Sequence, residues 1–148
     1  MKLAGCGAKA GLGAAAAAVL LLGAGPAHAA DTGRWDLTNQ YSGDLKGVWA
    51  HGSLWQTPDR RYHLNGEVKD TLGDGKGAAL RIDAYYNDGG HRPEVVMNML
   101  GSGKVVTFDF NFASNVDFFV LKECFLVRNS SGAIVMGDCA DPGRIYFM

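Results

Sequence analysis

The stretch KVVTFDFNF, residues 104–112, limits what this chain can fold into more than any other part of it. Val106, Phe108, Phe110 and Phe112 alternate with Thr107, Asp109 and Asn111. In an extended backbone successive side chains leave opposite faces, so the apolar groups share one side and the polar groups the other. A helix would scatter the same residues around its circumference. The stretch therefore reads as a strand with one dry and one wet face, and its dry face requires a second layer to cover it.

Seven further stretches combine β-branched and aromatic residues with Gly, Asn, Asp or Pro at their borders: 47–56, 61–70, 77–86, 93–100, 117–128, 133–139 and 143–147. In 77–86 the set Ala78, Leu80, Ile82, Ala84 and Tyr86 takes the inward phase against Arg81, Asp83 and Tyr85. DFFVLKECFLV, 117–127, is apolar on both phases, as in a central strand covered on each side or one edge of a partner-binding surface. TPDR (57–60), NDGG (87–90) and NSSG (129–132) carry turn chemistry. No long apolar pattern of period 3.6 follows residue 30, and among the 15 acidic residues only Glu67, Glu94 and Glu123 are the helix-favouring Glu. These features predict an all-β fold: an antiparallel β-sandwich, or partly open barrel, of about seven to eight strands over residues 47–148. Residues 30–46 show no sustained period and are expected to form an N-terminal arm, as a short strand, a helical turn or a mobile segment. Trp35 and Tyr41 imply that part of the arm packs back on the domain.

The first residues read as an address. Lys2 and Lys9 precede the apolar run GLGAAAAAVLLLGAG, which leads to Ala27-His28-Ala29, the pattern of a signal peptide cleaved after Ala29. The run is shorter than the roughly 20 apolar residues a membrane-spanning helix needs. LAGC at 3–6 matches the lipid-attachment box of bacterial lipoproteins, but there the box follows the apolar run and here it precedes it. Cys6 is thus expected to leave with the leader, and the mature chain to be secreted.

Export leaves Cys124 and Cys139, which outside the cytoplasm are expected to form a disulfide. A two-residue turn at Ser131-Gly132 would set Cys124 opposite Cys139, whereas a four-residue turn would set it opposite Gly137. The net charge of −1 becomes −3 once Lys2 and Lys9 are gone, with the arginines spread from Arg34 to Arg144. Such a balance argues against nucleic-acid binding and against a polybasic contact with a membrane.

VKDTLGDGKGAAL, 68–80, raises the question of a ligand loop. A phosphate loop would need Gly where Asp70 stands and Ser or Thr where Gly77 stands. Asp70 and Asp74 could hold Ca2+ as hard oxygen ligands, although the D-x-D-x-D-G spacing is absent. The competing reading is a turn in which each Asp bonds nearby backbone N–H groups. No G-x-S-x-G or H-E-x-x-H motif occurs, and His51, His63 and His91 lack metal spacing. His51 alternates with Trp49, Ser53 and Trp55 and so faces the same way as both tryptophans.

Trp49, Trp55, Tyr62, Tyr85 and Tyr86 cluster in the first three predicted strands, and aromatic rings on a sheet can stack against sugars. The expected function is a secreted, non-enzymatic binding module for carbohydrate or cell-envelope glycan, with Trp55, Tyr62 and Tyr85 as candidate ligand residues. The alternative is a secreted enzyme inhibitor or protein-partner-binding protein presenting YYNDGGHRPE, 85–94; a small hydrolase ranks behind both. The Ala/Gly-rich leader, with GEVKD at 66–70 and DGKGAAL at 74–80, resembles small exported proteins of high-GC Gram-positive bacteria. That resemblance spans residues 62–148 and implies a secreted β-sandwich; it carries no functional residues with it.

Overall fold

The structure, a computed structural model, describes residues 30–38 and 43–146. The leader, Cys6 and Tyr41 lie outside the described residues. Among those described there are nine strands and no helix: β1 (Ala30–Asp36), β2 (Val48–Gln56), β3 (Tyr62–Asp70), β4 (Gly77–Tyr86), β5 (His91–Asn98), β6 (Val105–Phe112), β7 (Val116–Arg128), β8 (Ile134–Cys139) and β9 (Gly143–Tyr146). They form two antiparallel sheets. The first has the order β1-β2-β3-β6 and the second β5-β4-β7-β8, with β9 pairing the first part of β7.

The eight stretches legible in the sequence are β2 to β9, and the all-β antiparallel sandwich with one disulfide is the fold. The added strand is β1, from the arm. Its register against β2 shifts between Asp31 and Gly33, and Gly33 sits at φ 142°. That bulge breaks the period-2 pattern within seven residues, which is why the segment shows no period.

The core lies between the sheets. Ala50, Leu54, Leu64 and Val68 of the first sheet face Ala78, Leu80, Ile82, Ala84, Phe119 and Leu121 of the second. On β6 only Phe112 is fully buried, with Val106, Phe108 and Phe110 partly covered, as befits an edge strand. Phe112 meets Phe119 edge to face across the layers, with ring centroids 4.8 Å apart.

One row across the first sheet explains two of its glycines. The register runs Trp35 to Gly52, Gly52 to Gly66 and Gly66 to Phe108. With no side chain on the two middle strands, the buried Trp35 ring reaches Phe108 at 6.1 Å. A Cβ on Gly66 would lie 2.8 Å from the Trp35 Cζ2 atom and 2.2 Å from the His51 carbonyl oxygen.

β7 lies between β4 and β8, the central-strand alternative of the two that its two-sided composition allowed. Its inward phase joins the core, while Cys124 and Leu126 on the opposite phase pack with Ala79 and Met136 in a smaller cluster. The Cys124–Cys139 disulfide lies there. The β7–β8 connection fits neither simple turn: Asn129 N–H donates to Ala133, and Arg128 pairs with Ile134. That register would put Cys124 opposite Asp138, and a shift between Cys124 and Leu126 moves it by one to face Cys139.

Candidate binding site

Alternation along β2 sends Trp49, His51, Ser53 and Trp55 to the outer face of the first sheet. The β2–β3 register sets them opposite Lys69, Glu67, Asn65 and His63, and β6 adds Val105, Thr107, Asp109 and Asn111 to the same face. The face therefore has an indole near each end of β2 and a polar middle.

Each indole carries an imidazole. Trp49 and His51 have ring centroids 4.2 Å apart, and Trp55 stacks on its cross-strand partner His63 at 5.1 Å. Asp36 Oδ1 accepts the Trp49 Nε1–H at 3.3 Å, and the Lys69 Nζ stands 5.8 Å from the same ring system. His51 Nε2 lies 3.7 Å from Glu67 and His63 Nδ1 3.6 Å from Asp109, half-exposed contacts of the kind that add little to stability. Asn65 Oδ1 accepts the Ser53 backbone N–H at 3.2 Å. Two shallow hollows flank the Trp49–His51 pair. One, about 310 Å³, is lined by His51, Asn65, Glu67, Thr107 and adjoining backbone; the other, about 480 Å³, by Asp36, Thr38, Asp44, Lys46, Trp49 and Thr71.

A buried acid holds this face from behind. Glu123 is fully buried on the inward phase of β7. Its Oε1 accepts the Ala50 N–H and its Oε2 the Leu45 N–H, each at 2.7 Å. Ala50 sits between Trp49 and His51, so a side chain of one sheet fixes the strand of the other that bears the candidate site. Burial pushes the Glu123 carboxyl up to about 8, with Asp44 and Asp36 adding to the rise, against the pull of the two N–H donors.

Of the three ligand residues expected from sequence, only Trp55 is on this face. Tyr62 takes the inward phase of β3 and packs against the core. Tyr85 lies on the outer face of the second sheet, stacked with His91 at 4.7 Å and Phe118 at 4.8 Å. The three do not form one platform, because strand phase and sheet membership separate them. Beside them, Asp83 accepts bonds from Arg81 and His91. Burial pushes its carboxyl up, and those bonds outweigh it, leaving the group below the usual carboxylate range.

Asp70 and Asp74 each close a turn. Asp70 Oδ1 accepts the Leu72 N–H at 3.1 Å, and Asp74 Oδ1 accepts the Lys76 N–H at 3.0 Å. Among the described residues no three His, Cys, Asp or Glu side chains converge as a metal-ligand group. The 85–94 segment is pinned close to the body: Asn87 N–H donates to Asn115, Asn115 Nδ2 to Asp88, and Arg92 to Glu94 and the Asn111 carbonyl.

The fold and face define an all-β, disulfide-clamped sandwich with a polar and aromatic sheet surface. No protein-family model matches this chain, and no curated protein matches it either.

Proposed function

We propose that this chain is exported after loss of residues 1–29 and acts as a non-enzymatic binding module for a cell-envelope or related glycan. Its ligand lies along β2, β3 and β6 on the outer face of the first sheet. The observation that carries the reading is the pair of half-buried tryptophans on one strand, Trp55 stacked on an imidazole and Trp49 with one tilted against it, bracketing a row of amide, carboxylate and hydroxyl groups. Sugar rings offer an apolar face to an indole and hydroxyls to such a row. Six residues at about 3.3 Å each separate the two indoles by roughly 20 Å, the scale of several linked sugars. The face is flat and open, which suits an extended polymer rather than a small enclosed ligand.

Tryptophan fluorescence titration against a panel of soluble cell-envelope and plant oligosaccharides tests this. Binding to at least one member, weakened about tenfold or more by Trp49→Ala and by Trp55→Ala, is the expected result, from the scale of an aromatic stacking contact. No response to any glycan, or affinity indifferent to both substitutions, refutes it.

A further inference from the structure

The end of the sandwich where β3 passes to β4 (71–76) and β5 to β6 (99–104) has a surface unlike the rest. Apart from Tyr85, the large hydrophobic side chains exposed among the described residues all lie at or near it: Leu72, Met97, Met99, Leu100 and Val105, with the first two residues of β8. Leu100 is 64% exposed and Met97 52%. The two connections lie side by side, since Leu72, Met99 and Ser102 line one hollow of about 260 Å³.

These tips are braced. Gly103 N–H donates to the Asp70 carbonyl at 2.7 Å and Thr71 N–H to Gly47 at 3.0 Å. The buried Asn98 Nδ2 donates to both Val68 and Lys104 carbonyls at 2.8 Å. The backbone is therefore satisfied from below, while Leu100 and Met97 keep more than half of their surface in solvent and Leu72 and Met99 more than a third. Around them stand the exposed cations Lys46, Lys76, Lys104 and Arg128 against the exposed acids Asp44 and Asp74. That local excess of positive charge sits on a chain whose net charge is −1. The four cations come from four separate segments, which is why the sequence shows no polybasic track; the fold gathers them.

We infer that this end docks onto an anionic lipid surface, with Leu72, Met99 and Leu100 entering the headgroup layer and Lys76 and Lys104 meeting lipid phosphates. A second copy is the poorer occupant, because a two-fold contact through this end would set its cations against themselves. The contact adjoins the sheet face proposed to take glycan at Lys46 and Val105, but its anchors Leu72, Met99 and Leu100 lie on the connections and not on that face.

Cosedimentation of the chain with vesicles of phosphatidylcholine, alone or with about 30 per cent phosphatidylglycerol, tests the inference. All variants carry the same apolar run near residues 14–22, so differences between them report the loops. The chain should bind the anionic vesicles and lose binding as salt rises from about 0.1 to about 0.5 M. Lys76→Glu with Lys104→Glu should weaken binding about tenfold or more, since each cation near the surface is worth about fivefold. Met99→Ser with Leu100→Ser should do likewise. Hydrogen exchange with vesicles present should slow at residues 99–104 in the unsubstituted chain. Equal binding by all variants, unchanged exchange at 99–104, or a dimer in sedimentation that Leu100→Ser abolishes would each overturn the inference.

Discussion

Replacing Glu123 by Gln gives the sharpest test of how the two sheets are joined. The carboxyl is fully buried, receives the N–H groups of Ala50 and Leu45 at 2.7 Å, and has its pKa raised from 4.5 to about 8. The folded chain therefore keeps a proton that the unfolded chain releases near 4.5. Stability from this group is complete below the unfolded value and is lost as pH climbs towards 8. The slope is about 1.4 kcal/mol per pH unit, which over that window amounts to about 5 kcal/mol. Gln has nearly the same shape but cannot ionise. Its single carbonyl oxygen serves one N–H, and its NH2 group confronts the other, a buried unpaired donor costing about 1–3 kcal/mol. Urea unfolding of both proteins, followed by tryptophan fluorescence, should thus show E123Q less stable than the parent at about pH 5 and more stable at about pH 9. The difference between the curves isolates this site, because every other titrating group is common to both. Parallel curves across that range would show that Glu123 does not hold a buried proton, and the reasoning would fail.

Gly66→Ala should cost about 3 kcal/mol by urea unfolding, since the new methyl meets the His51 carbonyl and the Trp35 ring in the space the glycine row leaves open. A loss under about 0.5 kcal/mol would mean that row is not tightly packed. Cys139→Ala should lower stability by about 3 kcal/mol through release of a short loop, with the strand content seen by circular dichroism retained. Asp70→Ala should cost about 1 kcal/mol by removing a turn bond to Leu72. Thermal unfolding of the unsubstituted chain should give the same Tm in calcium and in chelator; a rise with calcium would reassign that loop as a metal site.

What the sequence made legible follows from what local periodicity can encode. Phe108 and Phe110 alternate without interruption, so β6 could be drawn to within a residue, whereas the two-sided apolar run around Phe119 fitted a central strand and a partner-binding edge alike. β1 stayed hidden because the bulge at Gly33 interrupts its phase. The cysteine pair was legible from composition, and the two-residue-turn alternative set Cys124 opposite Cys139 as observed, but the rest of the hairpin is offset by one because a shift inside β7 cannot be read from turn length. At the candidate site, phase alone put Trp49, His51 and Trp55 on one side. Asn65, Glu67, Lys69 and Asp109 join them only through cross-strand register, which no single stretch records. Tyr62 and Tyr85 were grouped with Trp55 by nearness in sequence and by aromatic type, and strand phase and sheet membership then separated them. Glu123 gave no signal either, since an acid within a strand reads as a wet-face residue until the opposite layer supplies its donors.

The measurement that bears most directly on the account is a titration of the isotope-labelled chain with a glycan it binds, read by amide chemical shifts. The shifts should concentrate at 49–55, 63–69 and 105–111, on the outer face of the first sheet. Shifts confined to the outer face of the second sheet, around Tyr85 and Phe118, or absent at saturating glycan, would contradict it.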